Sequence, residues 1–245
     1  MTDKTPEYDK IGKQYKLATK RPLRRYAYEP TIGLYLPSLK GKRILDLACG
    51  DGVVTRMMRD AGASELVGLD LSQEMIDLAS AQDSDKITYA KRDCMKDDLT
   101  DFGKFDLTTG MMFLHYASNR KDLENTVKNI KDSLKENGTF CGMLVNPDLV
   151  LKGHDRYGVN IPFGDKKEGK QVKIELTDFE GNKFCDVKDY FWKRETFEGL
   201  FQKYGFSTEW LPGIVSQEGL DQYGKEFWKD YLENPIYVMI KAKLK

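Results

Sequence analysis

The stretch Arg43-Ile44-Leu45-Asp46-Leu47-Ala48-Cys49-Gly50-Asp51-Gly52 decides how the chain is read. Its first half is a short apolar run of the kind that forms a buried strand. Its second half is a line of small residues leading into residues 53–61, where Val54, Met57 and Met58 recur on one side of a helix. Small residues at 48, 50 and 52 let the backbone turn tightly and come close to a ligand. Strand, tight turn and helix together open a βαβ unit.

Outward from this stretch the same alternation repeats. Glu65-Leu66-Val67-Gly68-Leu69-Asp70 reads as a second strand, and Ser72 caps a helix running to about Ala81. Residues 87–91 form a third strand and 105–112 a fourth. A helix over 121–135 is stopped by Asn137-Gly138, and 139–145 is a fifth strand. After Pro147 the pattern changes. Residues 172–176 and 183–190 alternate around Glu180-Gly181-Asn182, as a hairpin does, then 194–204 is helical, and 208–215 and 236–243 close the fold as strands. The expectation is an α/β fold: a doubly wound, mostly parallel, seven-stranded Rossmann-like sheet with an antiparallel C-terminal strand and small cap elements. The expected division is an N-terminal helical cap over 1–38, a core over 39–147, a cap with the hairpin over 148–193, and a C-terminal helix with closing strands over 194–245.

Composition narrows the function classes. Over 245 residues, 39 Lys and Arg balance 39 Asp and Glu, so bulk charge gives a nucleic-acid partner no support. The densest basic run, Lys20-Arg21-Pro22-Leu23-Arg24-Arg25, reads as a solvated face or a local patch. Cys49, Cys94, Cys141 and Cys185 form no CxxC pair, and His115 and His154 are the only histidines. No zinc-ligand spacing exists, no metal is expected, and free thiols in a reducing compartment are the reading. No apolar run approaches a membrane span, and the polar N-terminus lacks a signal core, so the expectation is a cytoplasmic protein with no membrane partner.

The acids at the strand ends carry the chemistry. Asp46 can accept a hydrogen bond from an amino-acid ammonium, directly or through water. Asp70 can grip both hydroxyls of a ribose, the logic of nucleotide folds generally. Asp93, after the third strand, can take the exocyclic amine of adenine while the backbone N–H of Cys94 meets its ring nitrogen. The GxGxxG spacing of a dinucleotide site is not met, because Val53 follows Gly52 and no third glycine opens the helix. An acid at the head of the glycine run would repel a pyrophosphate and welcome an ammonium.

Residues 45–52, Gly68-Leu69-Asp70-Leu71-Ser72, Arg92-Asp93 and Phe105-Asp106-Leu107 resemble the successive cofactor motifs of class I S-adenosylmethionine (SAM)-dependent methyltransferases. A narrower resemblance, to the toxoflavin-type azapteridine N-methyltransferases, rests on Tyr8-Asp9-Lys10-Ile11, Pro22-Leu23-Arg24-Arg25-Tyr26, residues 190–197 and Glu218-Gly219-Leu220-Asp221. The Lys- and Asn-rich composition departs from that group. What these resemblances imply is a SAM cofactor and a small, planar methyl acceptor attacked at nitrogen or oxygen by in-line displacement.

They also imply roles for particular residues. Arg25 would hold the methionine carboxylate, or be an exposed member of a basic run. Tyr8 and Tyr15, seven apart, are lids over the sulfonium or staples of the cap. Ala48 and Gly50 would cradle the nucleoside, Met111 would touch it by backbone, and Leu71 and Met75 would pack on it, although Met75 fits the core equally well. His115 is a base or a structural histidine, and Asn146 is a residue that orients the acceptor. Phe163, Phe191 and Trp192 sandwich a flat substrate or fill the cap. Two other readings stay open: a nucleic-acid or protein methyltransferase, and a SAM-binding regulatory protein without turnover. The Gly110-Met111-Met112-Phe113 run departs from the Asn-Pro-Pro-Tyr-like motif of enzymes that methylate nucleic-acid amines.

Overall fold

The first strand is buried from Ile44 to Leu47, because helices cover both faces of the main sheet. The computed structural model describes residues 21–82, 87–150, 154–161, 166–178 and 181–245. Its strands are β1 (Arg43–Leu47), β2 (Glu65–Asp70), β3 (Ile87–Lys91), β4 (Phe105–Met111), β5 (Leu134–Val145), β6 (Val159–Asn160), β7 (Gln171–Thr177), β8 (Lys183–Tyr190), β9 (Phe206–Pro212) and β10 (Tyr237–Leu244). The helices are α1 (Glu29–Tyr35), α2 (Val53–Asp60), α3 (Gln73–Ser80), α4 (Arg120–Ser133), α5 (Arg194–Lys203) and α6 (Gln217–Glu233), with a π-helical turn over Leu23–Tyr28 before α1.

Successive side chains on a strand point to opposite faces. Leu45 and Leu47 of β1 therefore join Val67, Leu69 and Phe140 against Leu123, Val127 and Ile130 of α4 and Phe197 and Phe201 of α5. Ile44 joins Leu66, Leu107 and Met143 against Ile32 of α1 and Val54 and Met58 of α2. Asp46 shares the face of Ile44, which sends a carboxylate toward α2. On that helix Thr55 is fully buried and Met57, expected beside Val54, is only partly so. The reason is polar: Thr55 turns inward to reach Asp46.

The seven-stranded sheet has the order β3-β2-β1-β4-β5-β10-β9, with β10 antiparallel to both neighbours and the other pairs parallel. This is the expected doubly wound sheet. The chain runs outward from β1 through β2 to β3, then crosses back to β4 on the other side of β1, which opens a crevice at the carboxyl ends of β1 and β4. A separate antiparallel sheet, β6-β7-β8, stands after β5. Val172, Ile174, Leu176 and Val187 line its inner face and pack with Leu23 of the π turn and Trp228 and Tyr231 of α6. Tyr157 stacks on Trp228 with centroids 5.4 Å apart.

The structure departs from the sequence reading at several element ends, among them β5, which begins at Leu134, and β9, which spans Phe206–Pro212. Helix α4 ends at Ser133 rather than near 135, because Leu134 turns into the core and pairs with Phe105 of β4. Asn137 then takes a left-handed φ of 61° inside the strand segment rather than beyond a helix end. The 17-residue helix α6 is absent from the sequence reading, although Ser216 caps it in the ordinary way by accepting from Gly219 N. Its apolar residues are clustered aromatics, and Gly224 breaks its φ/ψ regularity, so no clean helical period is visible in the sequence. Among the described residues no helix is long and apolar enough to cross a membrane.

Phe140 is fully buried and stacks on Phe201 at 5.4 Å, joining β5 to α5. Phe140→Ala is expected to cost about 3–5 kcal/mol of stability. Urea unfolding should show a lower midpoint at an unchanged slope.

Candidate functional site

Between β1 and α2 the chain runs through Ala48, Gly50 and Gly52 at φ values of 53°, 56° and 76°. This succession of left-handed turns folds the loop back on itself, and Cys49 N donates to Leu69 O at 2.9 Å. A Cβ built on Gly50 would meet no atom within 4 Å, so this backbone fronts open space. Gly50 N donates to Asp70 Oδ2 at 2.9 Å, and Ser72 N donates to Asp70 Oδ1 at 2.8 Å. The Asp70 carboxylate is thereby fixed between the end of its own strand and the neighbouring loop.

A cleft of about 270 Å³ opens at these strand ends. Ala48, Asp70, Leu71, Asp93 and Cys94 line it, together with Phe113 and Tyr116 from the turn after β4. Leu71 is 47% exposed, which offers an apolar surface at the cleft edge. Asp93 accepts from Met95 N at 3.1 Å and pairs with Lys96 at 3.1 Å. Burial pushes the Cys94 thiol up to about 12, so it stays protonated as part of the wall.

Asp46 lies beneath this loop, 2% exposed. In register with Thr109 of β4, it accepts from Thr109 Oγ1 and from Thr55 Oγ1, both at 2.7 Å. Burial pushes its pKa up to about 6, against the two threonine hydroxyls, and the nearby Asp70 charge adds to the rise.

A second cavity, of about 70 Å³, lies between the π turn, the ends of β4 and β5, and the small sheet. Leu23, Val145, Val159, Ile174, Leu176 and Val187 give it aliphatic walls. Arg21, Arg24, Tyr28, Tyr116 and Tyr237 complete the polar part of its lining. Tyr116 lines both this cavity and the strand-end cleft.

Several residues singled out from the sequence lie elsewhere. Arg25 is 66% exposed and pairs with Glu218 at 2.7 Å, whereas Arg24, at 18%, pairs with Glu29 at 3.3 Å and lines the second cavity, its guanidinium 4.7 Å from the Tyr28 ring centroid. One step of helical phase decides between them, and nothing in the run of basic residues displays that phase. Met75 is buried on α3, outside the cleft lining, with its N–H bonded to Ser72 Oγ. Met111 is also buried, packed in the core, and is not among the residues lining either cavity. Asn146 accepts from Asp148 N and donates to Pro235 O, both at 3.0 Å, which commits both ends of its amide to turning the chain out of β5. Tyr8, Tyr15 and Phe163 lie outside the described residues.

His115 does not reach either cavity. It borders a separate space of about 20 Å³ with Asp189, Phe191 and Trp192. Its Nε2 is 3.6 Å from Asp189 Oδ1, too far for a hydrogen bond, and its Nδ1 has no partner among the described residues. Burial pushes its pKa down to about 3. Trp192 is likewise buried, donating from Nε1 to Ala117 O at 2.9 Å, so it fastens the turn after β4 rather than facing the second cavity. Arg24 is a cavity-lining residue that the sequence reading gives no role. The aromatic run after the fourth strand is visible in the sequence, but which of its members faces a cavity is not.

Comparison with known proteins agrees with this geometry. A family profile described as a methyltransferase domain matches residues 44–138. A ubiquinone biosynthesis O-methyltransferase of Glaesserella parasuis is 30% identical over 69% of this chain and 72% of that enzyme. An uncharacterized protein of Haemophilus influenzae is 28% identical across 99% of this chain and 98% of its own length. Among solved structures, a SAM-dependent methyltransferase from Mesorhizobium loti superposes with a TM-score of 0.66 at 21% identity, over 92% of this chain and 99% of that one. An amino pentose methyltransferase from Micromonospora echinaspora, solved with SAM bound, gives a TM-score of 0.60 at 16% identity, over 96% and 91%.

The His115 imidazole is expected to stay neutral throughout pH 8 to pH 5, because its folded pKa lies far below the ordinary 6.5. The unfolded chain takes up that proton first, so this group's contribution to stability is lost as pH falls from about 6.5 toward 3. Ring nitrogen chemical shifts measured against pH check this. A midpoint near 6.5 would show a solvated imidazole instead.

Proposed function

Because the chain belongs to the class I SAM-dependent methyltransferases, we propose that it methylates a nitrogen or oxygen of a small, planar metabolite held in the second cavity. The observation that carries this reading is the shared wall. Tyr116 borders both the strand-end cleft and the aliphatic cavity, so a nucleoside in one and an acceptor in the other would meet beside its ring. A cavity of about 70 Å³ suits part of a small molecule and not a macromolecular strand.

The strand-end cleft fits the cofactor's adenosine. Asp70, held by two backbone amides, presents its remaining lone pairs to the ribose hydroxyls. Asp93 and the backbone of Cys94 receive the adenine edge, and Leu71 and Phe113 supply apolar contact. Asp46 receives the ammonium through the glycine loop. Arg24, rather than Arg25, holds the carboxylate, since a planar guanidinium matches that group and, of these two, Arg24 is the one that borders a cavity, beside Arg21.

When bound, SAM supplies a methyl group already activated on a sulfonium. What remains for the protein is alignment and exclusion of water, for which effective molarities of roughly 10⁵ M or more are available. The turn carrying Tyr116 is suited to that task because Trp192 fixes it from below. The toxoflavin-type resemblance suggests a planar nitrogen heterocycle as acceptor, and the ubiquinone biosynthesis O-methyltransferase relatives suggest attack by oxygen.

The direct test incubates the protein with methyl-labelled SAM and a panel of phenols, heterocycles and amines, following S-adenosylhomocysteine. Binding of SAM without turnover on any of them would favour a regulatory protein. By calorimetry, Asp70→Ala should weaken SAM binding by about 1–3 kcal/mol. Arg24→Ala should weaken it as well, while Arg25→Ala should leave it unchanged. An equal loss in both arginine variants would remove Arg24 from the assignment.

Affinity should also depend on pH through Asp46. An ammonium binds the ionised carboxylate, so SAM binding is full above the pKa of about 6 and weakens as pH falls through it. Between pH 7 and pH 5 the ionised fraction drops about tenfold, and the dissociation constant should rise by about that factor. A pH-independent constant over this range would mean that Asp46 does not meet the ligand's charge.

A further inference from the structure

Strand register builds the apolar wall of the cavity between the π turn and the small sheet. Ile174 of β7 lies opposite Val187 of β8, and Leu176 of β7 lies opposite Val159 of β6. Residues two apart on a strand share a face, as do directly opposed ones, so these four buried side chains form one aliphatic patch. Leu23 of the π turn and Ile236, just before β10, add further aliphatic lining.

The polar residues around this space are already engaged. Arg21 donates to the carbonyl of Gly158. Arg24 pairs with Glu29 at 3.3 Å and lies over the Tyr28 ring, and its remaining donors are assigned above to the cofactor's carboxylate. The Tyr28 and Tyr237 rings meet edge to face at 5.7 Å. Among the described residues no polar side chain lining the cavity is without a partner. A polar group carried into this space has to compete with those partners after losing its water, whereas a hydrocarbon group does not.

The volume points the same way. A cavity of about 150 Å³ holds a benzene molecule, so the 70 Å³ here is about half of what a ring needs. A chain of about three carbons fills that space on the same scale.

Resting on the methyltransferase reading above, we infer that the acceptor carries an uncharged aliphatic substituent that occupies this cavity, while the ring bearing the reacting atom stays outside it beside Tyr116. Tyr116 borders both the cavity and the strand-end cleft. Burial of the substituent therefore anchors the ring at the wall shared with the cofactor, and needs no polar contact to the reacting atom. Each methylene withdrawn from water into such an enclosure strengthens binding about fourfold.

The test uses the full chain loaded with S-adenosylhomocysteine. Calorimetry measures the affinity of phenol and of its methyl, ethyl, propyl and pentyl derivatives, in both the 2- and the 4-substituted series. In at least one series affinity should rise about fourfold per carbon as far as propyl and then level off. The hydroxymethyl compound of that series matches the ethyl one in shape and should bind about tenfold more weakly. Ile174→Phe fills the space and should leave phenol and propylphenol within about twofold of each other. Leu176→Ala enlarges it and should move the plateau to a longer chain, which a loss of stability alone would not do. The inference is overturned by affinity that ignores chain length in both series, or by the absence of binding throughout. Equal binding of the ethyl and hydroxymethyl compounds overturns it too, as does an unchanged chain-length profile in either variant. Calorimetry with S-adenosylhomocysteine alone separates the two layers. Tight binding of that ligand with any of these overturning results removes only the aliphatic anchor, whereas failure to bind it or SAM removes the methyltransferase reading as well.

Discussion

The hydrogen bond from Gly50 N to Asp70 Oδ2 ties the loop of the first strand to the end of the second, and the site is assembled around it. It can form because β1 and β2 are parallel and in register, with Leu47 opposite Leu69, so their carboxyl ends arrive side by side. Left-handed backbone at Ala48 and Gly50 turns an amide toward a carboxylate that would otherwise face solvent. Ser72 N holds the other oxygen of that carboxylate and its hydroxyl caps α3, so one acid organises a loop, a strand end and a helix start. With the bond from Cys49 N to Leu69 O, it holds the loop at a fixed distance from the end of β2.

Below the loop a second polar contact works in the opposite sense. Asp46 is withdrawn from water and satisfied by Thr55 and Thr109. A buried carboxylate costs free energy unless hydrogen-bonded, and the two hydroxyls offset part of that cost. What remains is visible as a pKa held near neutrality. An acid in this condition responds to an approaching cation more strongly than a solvated one, because little water screens the attraction.

The small antiparallel sheet supplies what the seven-stranded sheet cannot. Parallel strands covered by helices on both faces leave only their ends for chemistry. The β6-β7-β8 sheet stands beyond those ends and gives the second cavity an aliphatic wall, while Trp192, just after β8, clamps the turn that carries Tyr116 through the Ala117 carbonyl. His115, on the same turn as Tyr116, points into the packing beneath and not toward a ligand. Adjacent residues on a tight turn face different ways, which is how a tyrosine comes to line two cavities while its histidine neighbour lines neither.

The sequence by itself determined the alternation of strands and helices, the glycine loop and the order of acids at 46, 70 and 93, because these follow from local periodicity and from which residues tolerate a tight turn. The aromatic run after the fourth strand, residues 113–116, is visible in it as well. It could not show which of Arg24 and Arg25, or of His115 and Tyr116, borders the two larger cavities, because each pair differs only in the direction its members point from a turn whose phase is fixed by distant packing. Nor could it foresee α6, whose Trp228 and Tyr231 gain their stability against Tyr157, 70 or more residues away in the chain. Burial decided these points, and burial belongs to the tertiary structure: whether a charged or aromatic side chain meets a ligand or a core depends on which distant segments of the chain pack against it.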